Sequence, residues 1–418
     1  MDWPASYRAA IIASLCVLLW LSESVPVWVP TIILWISTPF LLRGFGPEFR
    51  PHEVVAWSAD PILILFLGGF SLAAAARRQG ADLVLASMTV RGSQGRPLRL
   101  VALAALATAG LSMWMSNIAA AAMMLGTLQP ILEREPRESR IRRAVLLSVA
   151  LGANVGGIAT PIGSGPNGIA MAAVAKHQPI GFVDWMIFGV PLTFGLLLFS
   201  VGVLAVWLRP SGAIPVMSSG EARPLPRLGS LAFVFGVTVI LWLTEPIHGI
   251  PPWVVAIGTV AILLVSRLLA WSDVLHLDWP TLLLIAGGIG LGALLDHSGV
   301  MDELAVRLPL DAAPPTLRLL GLCFLSASLS SLMSNTGTAA LLIPLAATFD
   351  PSPSTAIIVA VSASLGMIFV VSTPPNAMAV ARGLPASDLL FPGVLLLVAG
   401  CLIVAFTGPW VLHAVGIP

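Results

Sequence analysis

The chain has 418 residues, 57% of them apolar and only 10% charged, and its formal net charge is +1 at neutral pH. A mean hydropathy of +0.95 lies outside the range of a soluble domain of this length and places the chain in a bilayer. So small a net charge gives no argument for nucleic acid or an acidic protein surface as a partner.

In chain order, the first apolar run, residues 9 to 22, has the length of a signal sequence. It lacks a small-residue cleavage site and flows into SESVPVWVP and a second apolar run, so it reads as part of the mature protein. Hydrophobic stretches of roughly 17 to 25 residues mark candidate crossings. They fall at residues 8–22, 26–43, 60–77, 144–175, 183–208, 228–243, 251–270, 280–297, 354–381 and 388–412. Two further regions, 98–132 and 316–349, are long enough to enter and leave, and each is interrupted halfway by a Ser-Asn pair. A re-entrant hairpin suits that pattern, because non-helical backbone at membrane depth persists only inside protein or beside water. Two full crossings with a polar interruption are the alternative.

Smaller features have plain readings. Asp60-Pro61 predicts a helix start, with Asp as cap and Pro first in the helix. Cys16, Cys323 and Cys401 sit in separate apolar segments and read as small core residues rather than a disulfide framework. The six histidines lack ligand spacing, which argues against a metal centre. Glu23 and Glu245 occupy matching tight loops, where packing or capping is preferred to proton coupling. The glycine pairs in LFLGGFSLAAA and LIAGGIGLGAL read as close helix packing, since no strand and acidic partner accompany them.

The chain also repeats itself. LWLSESVPVWVP from Leu19 answers to LWLTEPIHGIPPWV from Leu241, and the glycine segment from Leu65 to that from Leu284. The two Ser-Asn segments match, and TPIGSGPNGIAMA from Thr160 answers to VSTPPNAMAVA from Val371. Each unit then holds five crossings and one hairpin; five is odd, so the second unit starts on the opposite face and the repeats are inverted. The expected organisation is repeat 1 over residues 1–209, with hairpin 98–132 opening inward and a broken helix at 144–175. A cytoplasmic linker at 210–227 follows, and then repeat 2 over 228–418, with hairpin 316–349 opening outward and a broken helix at 354–381. This orientation puts most arginines inside and both termini outside. The cluster from Arg134 to Arg143 serves as an orientation signal or meets anionic lipid at the inner surface. The fold class is all-α and polytopic.

An Asn or Ser buried in hydrocarbon without a partner costs several kcal/mol, so the hairpin tips should face an enclosed polar site. Ser112 and Ser116 lie four apart, as do Ser330 and Ser334, which on helical backbone puts each pair on one face beside Asn117 or Asn335. Hydroxyl and amide oxygens with freed carbonyls suit a small hard cation, sodium being the natural candidate. The same turns start new helices, whose unpaired amides and positive dipole ends point into the site. GSGPN (Gly163 to Asn167) and STPPN (Ser372 to Asn376) supply two more helix starts, so four N-termini can hold an anion without a buried arginine.

Together the paired Ser-Asn tips, the paired PPN-like breaks, the LW-[ST]-E segments and the GG spans resemble the divalent anion/sodium symporter family, over about residues 10 to 412. The resemblance implies a homodimer with a scaffold domain and a transport domain that slides like an elevator, carrying di- or tricarboxylates or sulfate. By position it implies one sodium site at Ser112, Ser116, Asn117 and the carbonyl of Gly163, and a second at Ser330, Ser334, Asn335 and the carbonyl of Ser372. Substrate contacts are implied for Ser116, Asn117, Ser164, Ser334, Asn335, Thr336, Thr373 and Pro374. No other cofactor is implied. Two positions depart from the pattern: Ile118 replaces the usual threonine, and Gly165 stands where the first break usually has proline. The lost hydroxyl predicts weaker selection for long dicarboxylates than for compact anions. The family's usual additional N-terminal span is not evident.

The expected function is sodium-coupled symport of a small divalent anion across the cell membrane. A sodium-independent exchanger or uniporter on the same scaffold is the alternative; a channel fits two broken, inverted repeats less well. An enzyme would need a nucleophile and base or a metal cluster at midplane depth, and the sequence offers neither.

Overall fold

Each apolar run folds into helix, and each predicted interruption is where a helix stops. The structure, a computed structural model, describes residues 3–22, 24–175, 180–212, 227–307, 314–350 and 352–417. Glu23, His177, the residues 213–226 of the predicted linker and Lys176 and Arg223, used for orientation, lie outside them.

The first half contains α1 (Ala5–Ser22), α2 (Val29–Leu42), α3 (Pro51–Ala56), α4 (Pro61–Arg78), α5 (Ala81–Ser93) and α6 (Pro97–Ser112). It continues with α7 (Asn117–Arg134), α8 (Arg140–Gly156), α9 (Gly165–Ala175) and α10 (Phe182–Leu208). In the second half follow α11 (Leu228–Leu243), α12 (Glu245–His248), α13 (Pro252–Val265), α14 (Trp271–Leu275), α15 (Trp279–His297) and α16 (Val300–Arg307). The last are α17 (Pro315–Ser330), α18 (Asn335–Phe349), α19 (Pro353–Ala363), α20 (Pro374–Ala381) and α21 (Leu390–Ala414). The described residues form helices and no strand. Five of the helices have the length and apolarity to cross a bilayer alone, and seven shorter apolar helices accompany them. Helices α3, α5, α12, α14 and α16 are additions to the sequence reading; they are short or polar enough to leave no long apolar run.

Local chemistry explains the ends. The Asp60 carboxylate accepts from the amide of Ile62 at 2.8 Å and Pro61 opens α4, as expected. Ser116 caps α7 by accepting from the amide of Ala119 at 3.3 Å, and Ser334 caps α18 through the amide of Gly337 at 3.1 Å. A capping hydroxyl satisfies an amide that the helix cannot, so the chain restarts as helix just past each serine.

The interior is built from the interrupted segments. Every residue of α19 is buried, and α8 is continuously buried from Ala144 to Gly156. Glycines let the helices approach. A Cβ on Gly156 would lie 2.5 Å from Ala109 Cα, fixing α6 against α8, and one on Gly68 would lie 2.6 Å from Ala256 Cβ, fixing α4 against α13. Gly288 is equally tight against Ile169 and Ala340, so the glycine pairs are packing devices. The three cysteines are free and buried.

Candidate functional site

Four turns without helix carry the polar residues: 113–116, 157–164, 331–334 and 364–373. Irregular backbone in an apolar interior has to find partners for its amides and carbonyls. Asn167 does this for the first break, its Nδ2 donating to the carbonyls of Gly157 and Thr160, both at 2.8 Å. Asn376 does it for the second, donating to Met367 at 3.0 Å and Phe369 at 2.9 Å. Hydroxyls tie each break to the neighbouring turn: Thr160 Oγ1 donates to the carbonyl of Met113, and Ser372 Oγ donates to that of Ser331 at 2.7 Å. The first break is buried throughout, whereas the second exposes Phe369 and Val371.

Ser112, fully buried, stands with its Oγ 2.7 Å from Asn117 Oδ1 and 2.7 Å from the carbonyl of Ala153. The same end of the Asn117 amide lies 3.1 Å from the Ala153 carbonyl and 3.2 Å from that of Gly163. Three acceptor oxygens thus crowd a fourth, with one hydroxyl proton among them. Only two arrangements relieve this: a cation among the oxygens, or an amide turned by 180° so that its nitrogen donates to all three. In the second half Ser330 Oγ donates to Asn335 Oδ1, also at 2.7 Å. Asn117, Asn335, Ser116 and Ser334 are half-buried.

Contacts between the halves draw the turns together. Gly165, at the start of α9, faces Thr336 in the first turn of α18; a Cβ there would lie 2.8 Å from Thr336 Cγ2 and closer still to its Oγ1. This explains the departure at position 165, since the volume of a side chain is already filled. Ser164 and Thr373 are buried, Pro374 is exposed, and Ile118 is 44% exposed, so its apolar chain ends outside the oxygen cluster. Thr373 Oγ1 accepts from Nδ2 of Asn154 at 3.1 Å. Trp114, in the turn before Ser116, stacks with Phe182 at 6.3 Å and Trp242 at 6.2 Å, linking that turn to α10 and α11.

No basic side chain lies in these turns, so positive potential there comes from helix N-termini. A cavity of about 410 Å³ opens elsewhere, between α9, α15, α18 and α19, and is lined by Asp296, Asp302 and Asp350 among apolar residues. Three carboxylates without a basic partner in the lining repel a dicarboxylate. This cavity therefore lacks the electrostatics of an anion site.

Four supporting residues escaped the sequence reading as site residues: Asn154, Thr160, Asn167 and Asn376. The paired asparagines were visible in the aligned breaks. Asn154 was not, because the spacing that aligns Asn167 with Asn376 sets it against Ala363.

A model of the citrate transporter family matches residues 17 to 356. The chain belongs to this family. It is 30% identical to an uncharacterized transporter of Haemophilus influenzae, over 97% of this chain and 91% of that protein. It is 27% identical to the sodium-dependent dicarboxylate transporter SdcS of Staphylococcus saprophyticus, over 87% of this chain and 78% of that one. The fold matches the crystal structure of the YdaH transporter of Alcanivorax borkumensis, with a TM-score of 0.60 and 17% identity over 97% and 98% of the two chains. These findings agree with the symporter resemblance read from the motifs. The protein is a multi-pass transporter of the cell membrane.

Proposed function

We propose that the protein is a secondary active transporter that couples movement of a small divalent anion, a di- or tricarboxylate such as succinate or citrate, or sulfate, to sodium. Residues 1–209 and 228–418 act as inverted repeats, each contributing one re-entrant hairpin and one broken helix. The transport domain of each protomer in a homodimer moves as an elevator in the bilayer. One sodium is held by Ser112, Ser116, Asn117 and the carbonyl of Gly163, the other by Ser330, Ser334, Asn335 and the carbonyl of Ser372. The anion lies against Ser116, Asn117, Ser164, Ser334, Asn335, Thr336, Thr373 and Pro374, at the N-termini of α7, α9, α18 and α20.

One observation carries this reading: the oxygens of Ser112, Ala153 and Gly163 converge on one end of the Asn117 amide, between 2.7 and 3.2 Å away. Neutral oxygens at such spacing suit an alkali ion, and the ion's charge in turn offsets that of the anion beside it. The family's description as citrate transporters and a relative named as a sodium-dependent dicarboxylate transporter support carboxylates and sodium. A sodium-independent exchanger is the second reading, favoured by the fact that a turned Asn117 amide satisfies the same oxygens without an ion.

The test is uptake of labelled succinate, citrate and sulfate into proteoliposomes with and without a sodium gradient. Uptake that needs inward sodium, and that is lost in Asn117→Ala and in Asn335→Ala, is expected; counterflow of equal size without sodium would refute the coupling. Unchanged sodium dependence in either variant removes that site from the scheme. Succinate or citrate outcompeting sulfate would end the expectation, drawn from Ile118, that compact anions are preferred.

A further inference from the structure

Asn154 is fully buried on α8, three residues before the first break, yet its side chain serves the second. Its Nδ2 donates to Thr373 Oγ1 at 3.1 Å and to Asn376 Oδ1 at 3.2 Å. The network fixes which way round this amide sits. Asn376 uses its own nitrogen on the carbonyls of Met367 and Phe369, so its oxygen faces Asn154 as an acceptor, and only the nitrogen of Asn154 can answer it.

The hydroxyl of Thr373 is thereby given a direction. Thr373 is the N-cap of α20 but makes no side-chain cap bond. Pro374 and Pro375 occupy the first two helical positions and have no N–H, and the amide of Asn376 donates to the Thr373 carbonyl at 3.1 Å instead. Because Thr373 Oγ1 accepts from Asn154, its proton is turned away from α8 and is left as a donor at the start of α20. Meanwhile Asn154 Oδ1 is buried with no hydrogen-bond partner.

We propose that Asn154 is a positioning residue for anion recognition: by donating to Thr373 it directs the Thr373 hydroxyl proton toward the substrate's oxygens at the N-terminus of α20. This rests on the anion site proposed above. It makes the second break's contribution to affinity depend on a residue of α8, so that the two repeats form one site although Asn154 has no counterpart in repeat 2.

The test uses purified full-length protein and the variants Asn154→Ala, Asn154→Asp, Thr373→Val, Thr373→Ser and the Asn154→Ala/Thr373→Val double. Asp keeps the shape of Asn but, ionised, cannot donate. Thermal stabilisation by citrate, succinate and sulfate gives anion affinity, and sodium without anion gives a separate titration. Asn154→Ala, Asn154→Asp and Thr373→Val are each expected to weaken anion binding about tenfold, with the sodium midpoint within about twofold of wild type. The double variant is expected to be no weaker than Thr373→Val, since both changes remove one interaction. Thr373→Ser, which keeps the hydroxyl, is expected to retain the anion affinity. Additive losses, sodium midpoints that move with the anion's, unchanged anion affinity in Asn154→Ala, or equal behaviour of Thr373→Val and Thr373→Ser would each overturn the proposal. The two threonine variants decide if the Asn154 variants do not fold. Anion binding that proceeds without any sodium binding overturns the sodium-coupled reading and leaves this one standing; a wild type stabilised by none of the three anions overturns both.

Discussion

Gly157→Ala tests the oxygen cluster with a single methyl group. Gly157 ends α8 at φ −62° and ψ −17°, a conformation any residue adopts, so alanine introduces no backbone strain. Its Cβ would instead stand 2.6 Å from Asn117 Oδ1 and 2.9 Å from the carbonyl oxygen of Gly163. Ordinary contact begins at 3.4 Å, so the two oxygens must retreat by about 0.8 and 0.5 Å. The Gly163 carbonyl is held by buried backbone and gives little; the Asn117 side chain can swing, but only by leaving the Ser112, Ala153 and Gly163 oxygens. Overpacking of this kind costs about 1 to 3 kcal/mol. If that cost falls on the ion-holding geometry, the half-saturating sodium concentration rises by roughly 5- to 150-fold, at 1.4 kcal/mol per factor of ten. The assay is a sodium titration of thermal stability, followed by sodium-dependent uptake in proteoliposomes. Gly126→Ala, with nothing within 4 Å of the new methyl on α7, is the control and is expected to bind sodium as the wild type does. A wild-type sodium midpoint in Gly157→Ala would refute the assignment of these oxygens to an ion.

Two further outcomes are expected. Burial holds the carboxyl of Glu245, between α11 and α13, above its ordinary pKa of 4.5, with the amide of Phe182 pulling it down and Asp184 adding to the rise. The folded protein then holds this proton more tightly than the unfolded chain, so stability falls as pH climbs from 4.5 through the raised value. Glu245→Gln keeps an acceptor for the Phe182 amide, 3.2 Å away, and should flatten that decline in thermal scans from pH 4.5 upward; parallel wild-type and variant curves would count against it. At the other end of α8, Arg143 Nη2 donates to Asp388 Oδ1 at 2.6 Å, and Asp388 is 4% exposed. Arg143→Met leaves that carboxylate buried without its ion-pair partner, and the loss should be about 3 kcal/mol, the lower end for a broken buried pair because the Arg143 side chain is 26% exposed. The exposed Arg78–Asp273 pair is the comparison, and an equally small effect from Arg78→Met and Arg143→Met on the unfolding midpoint would show that burial does not matter here.

Much of this molecule is written locally. Apolar runs set the helices because a backbone in hydrocarbon must satisfy its own amides, and that requirement acts within a few residues along the chain. The breaks were equally legible: Ser116 and Ser334 cap the helices that follow them, and the prolines of GSGPN and STPPN restart helix where no amide is needed. Repetition exposed the pairing of Asn117 with Asn335 and of Asn167 with Asn376, since both members of each pair answer the same local need. The polar helices α5 and α16 were missed for the matching reason, as helicity without an apolar run leaves no hydrophobic signature.

What only the tertiary structure decided is which turn faces which. Gly165 meets Thr336, and Asn154 reaches Thr373, across more than a hundred residues of chain. The carbonyls of Ala153 and Gly163 join the Ser112–Asn117 pair because Gly156 lets α8 lie against α6. Such contacts depend on packing between distant segments, and a backbone carbonyl carries no residue signature at all. The residue types therefore announced a polar site inside a membrane protein, while its oxygen geometry and the one-sided role of Asn154 came from how the two halves are pressed together.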